Sequence, residues 1–499
     1  MSHSTDLPDE AHRELPHGAE AADEFCEDCG YEPQLKRSLG TFQVFAISFA
    51  FISVAVGVFG TYDDVLQNAG PVGIWLWVIV AIGQTLVALV IAQFAARIPL
   101  SGSSYQWGSR LANPKVGWWF GWFNFCTLTA GVVAIDNALA KDALMPMLGM
   151  ASDERTARII TVVMLIIQAA IAIGSTHLVA MINTSAVGFE LALVVVLVIA
   201  LFVAVAVSGK GSISNLTSRG ITEGAPNYFA IGGGLMLATV LGLTTLVGFD
   251  AAANLAEEAK DPYRSVPKAV VGSVIAAAVL GLLFLIALTV AIDDMPRISA
   301  SDSPVVVIMH DQLGTVMEKL LLVAIVFAFF GAGMVTMATA SRIVYAMARD
   351  SRFPGHKVMR RVDARTHTPI PATVLIVVLG IILMLALPGD SLLELITTGT
   401  IIGPSLYGAT IILYLSVRKR LDRVEGAFDL GRYEMPVAIS ALIWSAIAVF
   451  IMVTPTSAHV PIAIVLGLTL LGGLYFLKLW KFNRIVLETE PGKVDVFKH

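Results

Sequence analysis

Residues 48–60 read Ser48-Phe-Ala-Phe-Ile-Ser-Val-Ala-Val-Gly57-Val-Phe-Gly60, and residues 242–250 read Gly242-Leu-Thr-Thr-Leu-Val-Gly248-Phe-Asp250. Both stretches are apolar, and both are interrupted at mid-length by glycine and small polar residues. Gly57 and Gly248 occupy like positions in segments that lie five apolar segments apart. This pairing is the pattern of an inverted repeat whose first helix in each half is discontinuous.

A helix that breaks inside a membrane frees backbone N–H and C=O groups, and lipid tolerates such groups only where they line a protein cavity. Freed N–H groups can bind a carboxylate, and freed carbonyls can bind a cation or an ammonium group. Glycine and serine also serve ordinary helix packing, but their pairing at like positions favours a substrate site. The residues predicted to form that site are Ser53, Val54, Ala55, Val56, Gly57, Thr245, Val247, Gly248, Phe249 and Asp250.

The composition of the whole chain supports a membrane protein. Of 499 residues, 56% are hydrophobic and only 14% are charged, whereas a typical globular protein has about 25% charged residues. This balance excludes a soluble enzyme, a disordered protein and a coiled coil, and three cysteines are too few for a disulfide scaffold. No basic cluster indicates nucleic-acid binding. The lone Cys26-Glu-Asp-Cys29 pair lacks the four ligands of a zinc site, so neither a metal nor a cofactor is predicted.

Twelve apolar segments of membrane-spanning length predict an all-α integral membrane protein, because each is too continuously apolar for a barrel strand. They lie near 41–66, 72–97, 115–139, 157–174, 178–207, 229–256, 267–292, 317–346, 370–388, 393–416, 436–454 and 460–481. The predicted transporter domain covers residues 38–482. It contains two five-helix repeats, at about 41–207 and 229–416, followed by two further helices.

The ends of the chain and the basic residues predict the orientation in the membrane. Residues 1–37 form an acidic tail that we expect to be disordered, and residues 483–499 form a second tail. Most of the 33 Lys and Arg residues fall on one side, above all in the loops 342–365 and 418–432. By the positive-inside rule, both tails are predicted to be cytoplasmic, in a protein of the plasma membrane.

Three stretches resemble the amino acid–polyamine–organocation (APC) permease superfamily. They begin Gly248-Phe-Asp-Ala-Ala-Ala-Asn-Leu-Ala-Glu257-Glu258, Ser341-Arg-Ile-Val-Tyr345, and Pro99-Leu-Ser-Gly-Ser-Ser-Tyr105. The resemblance covers about residues 38–482. It implies a ten-helix inverted-repeat core with discontinuous helices 1 and 6, two further helices, and secondary transport of amino acids or related amines. The first break of this chain has less glycine than is usual in the family, and its valines narrow the space for a ligand. Branches that handle aminobutyrate, choline or polyamines therefore remain open.

Glu190 stands at the centre of the fifth apolar segment, where an ionisable group is costly and usually functional. Some proton-coupled members of the family that this sequence resembles carry a lysine near this point of the fifth helix. We therefore predict Glu190 as the group that takes up and releases the coupling proton. Two alternatives remain: a fixed acid that pairs with the ammonium group of the substrate, and a structural carboxyl bonded to a neighbouring Ser or Thr.

Five residues are candidates for gating or for a contact with substrate. Asp250 could bind a substrate amine, cap the second half of its helix or make another structural bond. Phe249 could close over bound substrate, or it could serve ordinary helix packing. Glu257 and Glu258 follow at the end of this segment, with Arg264 close in sequence. Together these three could form an inner gate locked by ion pairs, or simply a solvated loop end.

Polar residues on other segments are predicted near the site. Asn124 and Thr127 lie in the third segment, Thr336 and Thr339 in the eighth, and Tyr407 in the tenth could reach the site. In sodium-coupled relatives, hydroxyls of the eighth helix help to bind the ion. Because few oxygen ligands are apparent here, proton coupling or exchange is favoured over sodium coupling.

A secondary transporter that works by alternating access is the function that these features favour. No nucleotide-binding G-x-x-x-x-G-K-[ST] motif is present, and neither is a catalytic H-E-x-x-H or G-x-S-x-G motif,. A channel or a membrane sensor is the other class considered, but paired breaks and the lack of a soluble output domain argue against it. The candidate acids and the absence of a basic group favour a zwitterionic or cationic amine substrate. Uptake and exchange both remain open.

Overall fold

The computed structural model describes residues 19–492, apart from 33–34, 36, 151–152, 175, 302, 387–388, 422–426 and 456–457. The described chain is helical, and its one β-bridge joins Leu39 to Ala259. In the first half the principal helices are α1 (Ala19–Asp28), α2 (Thr41–Ile52), α3 (Val54–Asn68), α4 (Leu76–Ala95), α5 (Pro114–Ala138), α6 (Glu154–Gly174) and α7 (Thr176–Ser208). In the second half they are α8 (Thr239–Thr245), α9 (Ala251–Asn254), α10 (Pro262–Val290), α11 (Pro304–Arg349), α12 (Ile370–Ala386), α13 (Gly389–Val417), α14 (Glu434–Val453), α15 (His459–Phe482) and α16 (Arg484–Glu488).

Ten helical segments in the described part of the chain are long and apolar enough to cross a membrane. Two shorter apolar helices, Gly234–Thr245 and Ile370–Ala386, lie at the positions of the sixth and ninth predicted segments. The outward surfaces of the long helices carry exposed Ile, Leu, Val and Phe side chains, which is the surface that lipid requires. The prediction of an all-α membrane protein is therefore confirmed, while the exact number of spans stays a prediction.

Both predicted interruptions are present as breaks in the helices, and the first lies at the beginning of the predicted stretch 53–57 rather than at its glycine. Ser53, with φ of 32°, is the single residue between α2 and α3, so Gly57 lies inside α3, four residues after the break. The second break spans the five residues between α8 and α9, and Gly248 adopts a φ of 78° within it. That conformation is left-handed and favours glycine.

The two broken helices pack directly against each other, and their glycines make this approach possible. A Cβ atom on Gly57 would overlap the side chain of Thr245, and one on Gly248 would overlap the ring of Phe51. Gly57 is thus a packing residue rather than the residue at which the helix breaks.

Long helices surround the broken pair. α11 packs against α5 and α7, and α10 packs against α2 and α4. α11, Pro304–Arg349, consists of two helices that meet at Gly314, whose φ of 77° and ψ of 171° are not helical, and the second of them contains the segment predicted at 317–346.

The predicted disorder of residues 1–37 is wrong for the described part of that segment. Residues 19–28 form α1, and Cys26 and Tyr31 are buried against the ends of the membrane helices. Apolar side chains among the acidic residues supply this contact, for instance Phe25, whose ring packs edge-on against Tyr263. Residues 1–18 lie outside the described residues.

The described part of the C-terminal tail is also attached to the helix bundle. Leu487 on α16 is buried. The buried guanidinium of Arg352 donates hydrogen bonds to the carbonyl oxygens of Val486 and Thr489, at 3.1 and 2.8 Å. We call the end of the bundle that carries α1, α16 and the Arg349 end of α11 the N-terminal face.

Candidate functional site

A cavity of about 240 Å³ lies beside the second break, between α5, α8, α11 and α13. Its walls are largely apolar and include the rings of Phe51, Trp107 and Tyr407. A few polar groups converge on it, as is usual for small-molecule sites. They are Ser104, Asn124, Thr127, Thr244, Asp250, Asn254, Thr339, Tyr407 and Thr410.

The second break contributes most of the predicted site residues that line this cavity. Val247, Gly248 and Asp250 line the cavity as predicted. Thr245 was also predicted to line it, but its neighbour Thr244 does so instead. Phe249 is fully buried and is not among the lining residues. Thr245 instead faces Gly57 on α3.

The first break contributes only its neighbour, Phe51, to the cavity lining. The five residues predicted there do not line the cavity; they are Ser53, Val54, Ala55, Val56 and Gly57. Ser53 and Ala55 instead donate hydrogen bonds to a residue of α7. The first break therefore faces α7 and not the cavity.

Glu190 is that residue of α7. Its Oε1 accepts hydrogen bonds from the Ser53 hydroxyl at 3.0 Å and from the Ala55 N–H at 3.1 Å, and the residue is 2% exposed. The Ser53 side chain also accepts from the Val56 N–H at 3.4 Å, and the Ser53 carbonyl from the Gly57 N–H at 3.0 Å. The start of α3 is therefore capped by the side chains of the protein itself.

Tyr407 holds the second break in place. Its hydroxyl accepts from the Gly248 N–H at 3.0 Å and donates to Asp250 Oδ1 at 2.7 Å. Its ring stacks on Phe249 with centroids 4.9 Å apart. Asp250 precedes α9, yet its side chain makes no helix-cap hydrogen bond, so the cap alternative is not the arrangement in this structure.

Ser48 joins the two broken helices. Its hydroxyl donates to the Phe249 carbonyl at 2.7 Å and accepts from the Ala252 N–H at 3.3 Å. Sequence reasoning missed this role of Ser48, although a serine in the middle of an apolar helix is a signal that its hydroxyl has a buried partner.

Glu257 and Glu258 form the predicted ion pairs, but with other arginines than Arg264. Arg342 on α11 donates to Glu258 at 2.7 and 3.3 Å, and both side chains are almost fully buried. Arg349, two turns further along α11, donates to Glu257 at 3.1 and 3.2 Å. Arg264 is exposed at the start of α10. The end of the second broken helix is thus fastened to α11 at the N-terminal face.

The N-terminal segment covers these ion pairs. The guanidinium of Arg349 lies 3.5 Å from the centre of the Tyr31 ring, and the Tyr31 hydroxyl donates to Asp350 at 2.8 Å. Arg37 donates to the carbonyl oxygens of Ala256 and Ala259, at 3.3 and 3.2 Å. These contacts close the N-terminal face over the end of the second broken helix.

Cys26 and Cys29 are buried in the same segment, and they are free thiols. Burial, with a smaller contribution from the Glu257 carboxylate, raises the pKa of Cys26 to about 12. Burial likewise raises the pKa of Cys29. Both thiols are therefore protonated at neutral pH, and no group of three metal-binding side chains occurs among the described residues.

Comparison with known proteins places the chain among transporters. The amino acid permease family matches residues 39–472. The chain is 26% identical to the amino-acid permease BAT1 of Arabidopsis thaliana, over 84% of this chain and 85% of that protein. It is 25% identical to the GABA-specific permease of Saccharomyces cerevisiae, over 87% of this chain and 78% of that one. It is also 25% identical to a putative polyamine transporter of Candida albicans, over 90% and 86% of the two chains.

The family match spans most of the chain, including both breaks and the cavity. It agrees with the bundle of membrane-length helices, and it confirms that the protein is a transporter and not an enzyme. The protein belongs to the amino acid permease family of the APC superfamily.

Proposed function

We propose that the protein is a secondary active transporter that moves an amino acid or a related small amine across the plasma membrane by alternating access, driven by protons. The observation that carries this proposal is the cavity beside the second break. It combines the Asp250 carboxylate with aromatic rings, and no Lys, Arg or His is among its lining residues in the described chain. A carboxylate and aromatic faces attract an ammonium group.

The proposed architecture has twelve membrane spans. The first ten form two inverted five-helix repeats whose first helices are α2–α3 and α8–α9, and α14 and α15 follow as additional spans. The N-terminal face is assigned to the cytoplasm. Arginines concentrate there, for example Arg342, Arg349 and Arg352, in keeping with the positive-inside rule.

Alternating access then requires the two faces to open in turn around the cavity. On the cytoplasmic face, the end of the second broken helix must leave α11, which breaks the pairs Glu258–Arg342 and Glu257–Arg349. The contacts of Tyr31 and Arg37 must be released in the same step. Phe249, stacked on Tyr407 beside the cavity, remains a candidate gate residue that moves with this helix.

Glu190 is the proposed proton-binding group. It is buried, and the donors that bond it, the Ser53 hydroxyl and the Ala55 N–H, are neutral. A proton on Glu190 removes its charge and weakens its hold on the start of α3, because hydrogen bonds to a charged acceptor are about twice as strong as neutral ones. Protonation thus changes the link between the first broken helix and α7, which supports a coupling role.

The test is uptake of labelled amines and amino acids into proteoliposomes, with an inward proton gradient, with a sodium gradient, and with neither. We expect uptake of at least one compound to need the proton gradient, and we expect the Glu190→Gln variant to lose the pH dependence. The same pH dependence in this variant would reject the role of Glu190. Uptake only into vesicles preloaded with solute would identify an exchanger instead.

A further inference from the structure

We propose that the substrate is a singly charged cationic amine that carries no carboxylate group. This inference rests on the proposed transport function and narrows its substrate class. Its basis is that Asp250 is the one charged side chain among the described residues that line the cavity, and that the amides of Gly248, Ala251 and Ala252 at the second break are already bonded within the protein.

The residues of the first break do not line the cavity, and two of its amides are bonded within the protein. The start of a half-helix binds anions through its free N–H groups, but here the Ala55 N–H donates to Glu190 and the Val56 N–H donates to Ser53. Glu190 is itself a carboxylate, so α3 already holds an anionic group of the protein. A second carboxylate beside Glu190 would meet like-charge repulsion in a buried setting.

The second break is bonded in the same way. The Gly248 N–H donates to the Tyr407 hydroxyl, and the Ala252 N–H donates to Ser48. The Ala251 N–H donates to the Gly248 carbonyl at 3.0 Å. These three amides of the second break, like those of the first, have partners within the protein.

The side chains of the cavity match a cation and not a zwitterion. Asp250 is the acidic residue among the lining residues, and it can balance one ammonium group. The polar groups left for a carboxylate, such as Asn124 and Thr127, are neutral. A buried carboxylate without a positive partner is strongly unfavourable, and it would also be repelled by Asp250. A diamine would bring a second positive charge that has no matching carboxylate among the described lining residues.

The rings around the cavity favour an amine with an apolar body. Phe51, Trp107 and Tyr407 line it together with aliphatic residues such as Ile91 and Leu243. Aromatic faces attract a desolvated ammonium group, and the aliphatic wall accepts a hydrocarbon chain.

The experiment compares each amino acid with the amine that remains when its carboxylate is removed. The pairs are leucine with isoamylamine, phenylalanine with phenethylamine, and 4-aminobutyrate with propylamine; putrescine serves as the diamine. Equilibrium binding to the purified full-length protein is measured by calorimetry at one pH. We expect at least one amine to bind about tenfold more tightly than its amino acid, the scale of one charge-assisted hydrogen bond, and more tightly than putrescine.

Two different failures can be separated. If an amino acid binds as tightly as its amine or more tightly, or putrescine binds best, the proposed substrate class is overturned while the transport function stands. If none of these compounds binds or is taken up by proteoliposomes, both the substrate class and the proposed function are overturned.

Discussion

Loss of one arginine should release the contacts that close the N-terminal face. In Arg342→Met, Glu258 keeps its carboxylate at a position that is 1% exposed and loses the guanidinium that bonds it at 2.7 and 3.3 Å. Removing one partner of a buried ion pair costs about 3–5 kcal/mol. The open form lets water reach Glu258, so this cost falls on the closed form alone. At about 1.4 kcal/mol per factor of ten, the equilibrium should shift toward the open form by about 10²- to 4 × 10³-fold.

The assay is the rate at which a maleimide modifies Cys26. Cys26 lies under the same contacts, is 1% exposed, and has a pKa raised to about 12 by burial. The thiolate is the form that attacks maleimide, so reaction at pH 7 is slow in the closed form and faster once the segment is released. With Cys29 and Cys126 replaced by serine, we expect Arg342→Met to accelerate labelling by about two orders of magnitude.

Two controls make this result decisive. Glu258→Gln combined with Arg342→Met leaves no unpaired charge at this position, so labelling should return toward the rate of the parent protein. Arg418→Met breaks the more exposed pair with Glu434 and should leave the rate unchanged. Parent-like labelling of Arg342→Met, or equal acceleration in the double variant, would refute the assignment of these ion pairs as the lock.

Three further predictions follow from the breaks and the N-terminal segment. Gly248→Ala should lower the free energy of unfolding by about 2–4 kcal/mol, because the left-handed φ disfavours alanine and the added methyl group would overlap the Phe51 ring,. Gly60→Ala, whose methyl group meets no neighbour within 4 Å, should have little effect. Equal stability of the two variants would contradict this reasoning. Tyr407→Phe should weaken amine binding about tenfold, since Asp250 loses its hydroxyl partner,, and calorimetry with unchanged affinity would count against it. In the parent protein, labelling of Cys26 should rise about tenfold per pH unit from pH 7 to 9, because a pKa of about 12 keeps the thiolate scarce over that range; a plateau near pH 9 would indicate an exposed thiol.

The apolar segments and the second break could be predicted because their signals are local. Hydrophobic runs of sufficient length mark helices that need lipid, and Gly248 occupies a conformation that favours glycine. Within the predicted stretch 53–57, the exact residue of the first break could not be predicted, because Ser53 and Glu190, which fix it, are 137 positions apart in the chain. A glycine pattern alone contains no information on such a distant partner.

The gate could be predicted only in part for the same reason. Glu257 and Glu258 were expected to form ion pairs, but the nearest arginine in sequence, Arg264, was the wrong partner. The arginines that bond them lie 84 and 92 residues away, on a helix that only the tertiary fold brings near. The N-terminal segment was misjudged because its acidic composition outweighed a few apolar residues that become buried on the folded bundle.

Solute counterflow in proteoliposomes tests the central claim, alternating access through the cavity beside Asp250, most directly. Vesicles containing the full-length protein are preloaded with an unlabelled compound and diluted into the same labelled compound, with no ion gradient. We predict a transient accumulation of label for at least one amine or amino acid, and its loss in Asp250→Asn. Absence of any overshoot with the parent protein, or an undiminished overshoot in Asp250→Asn, would contradict the account.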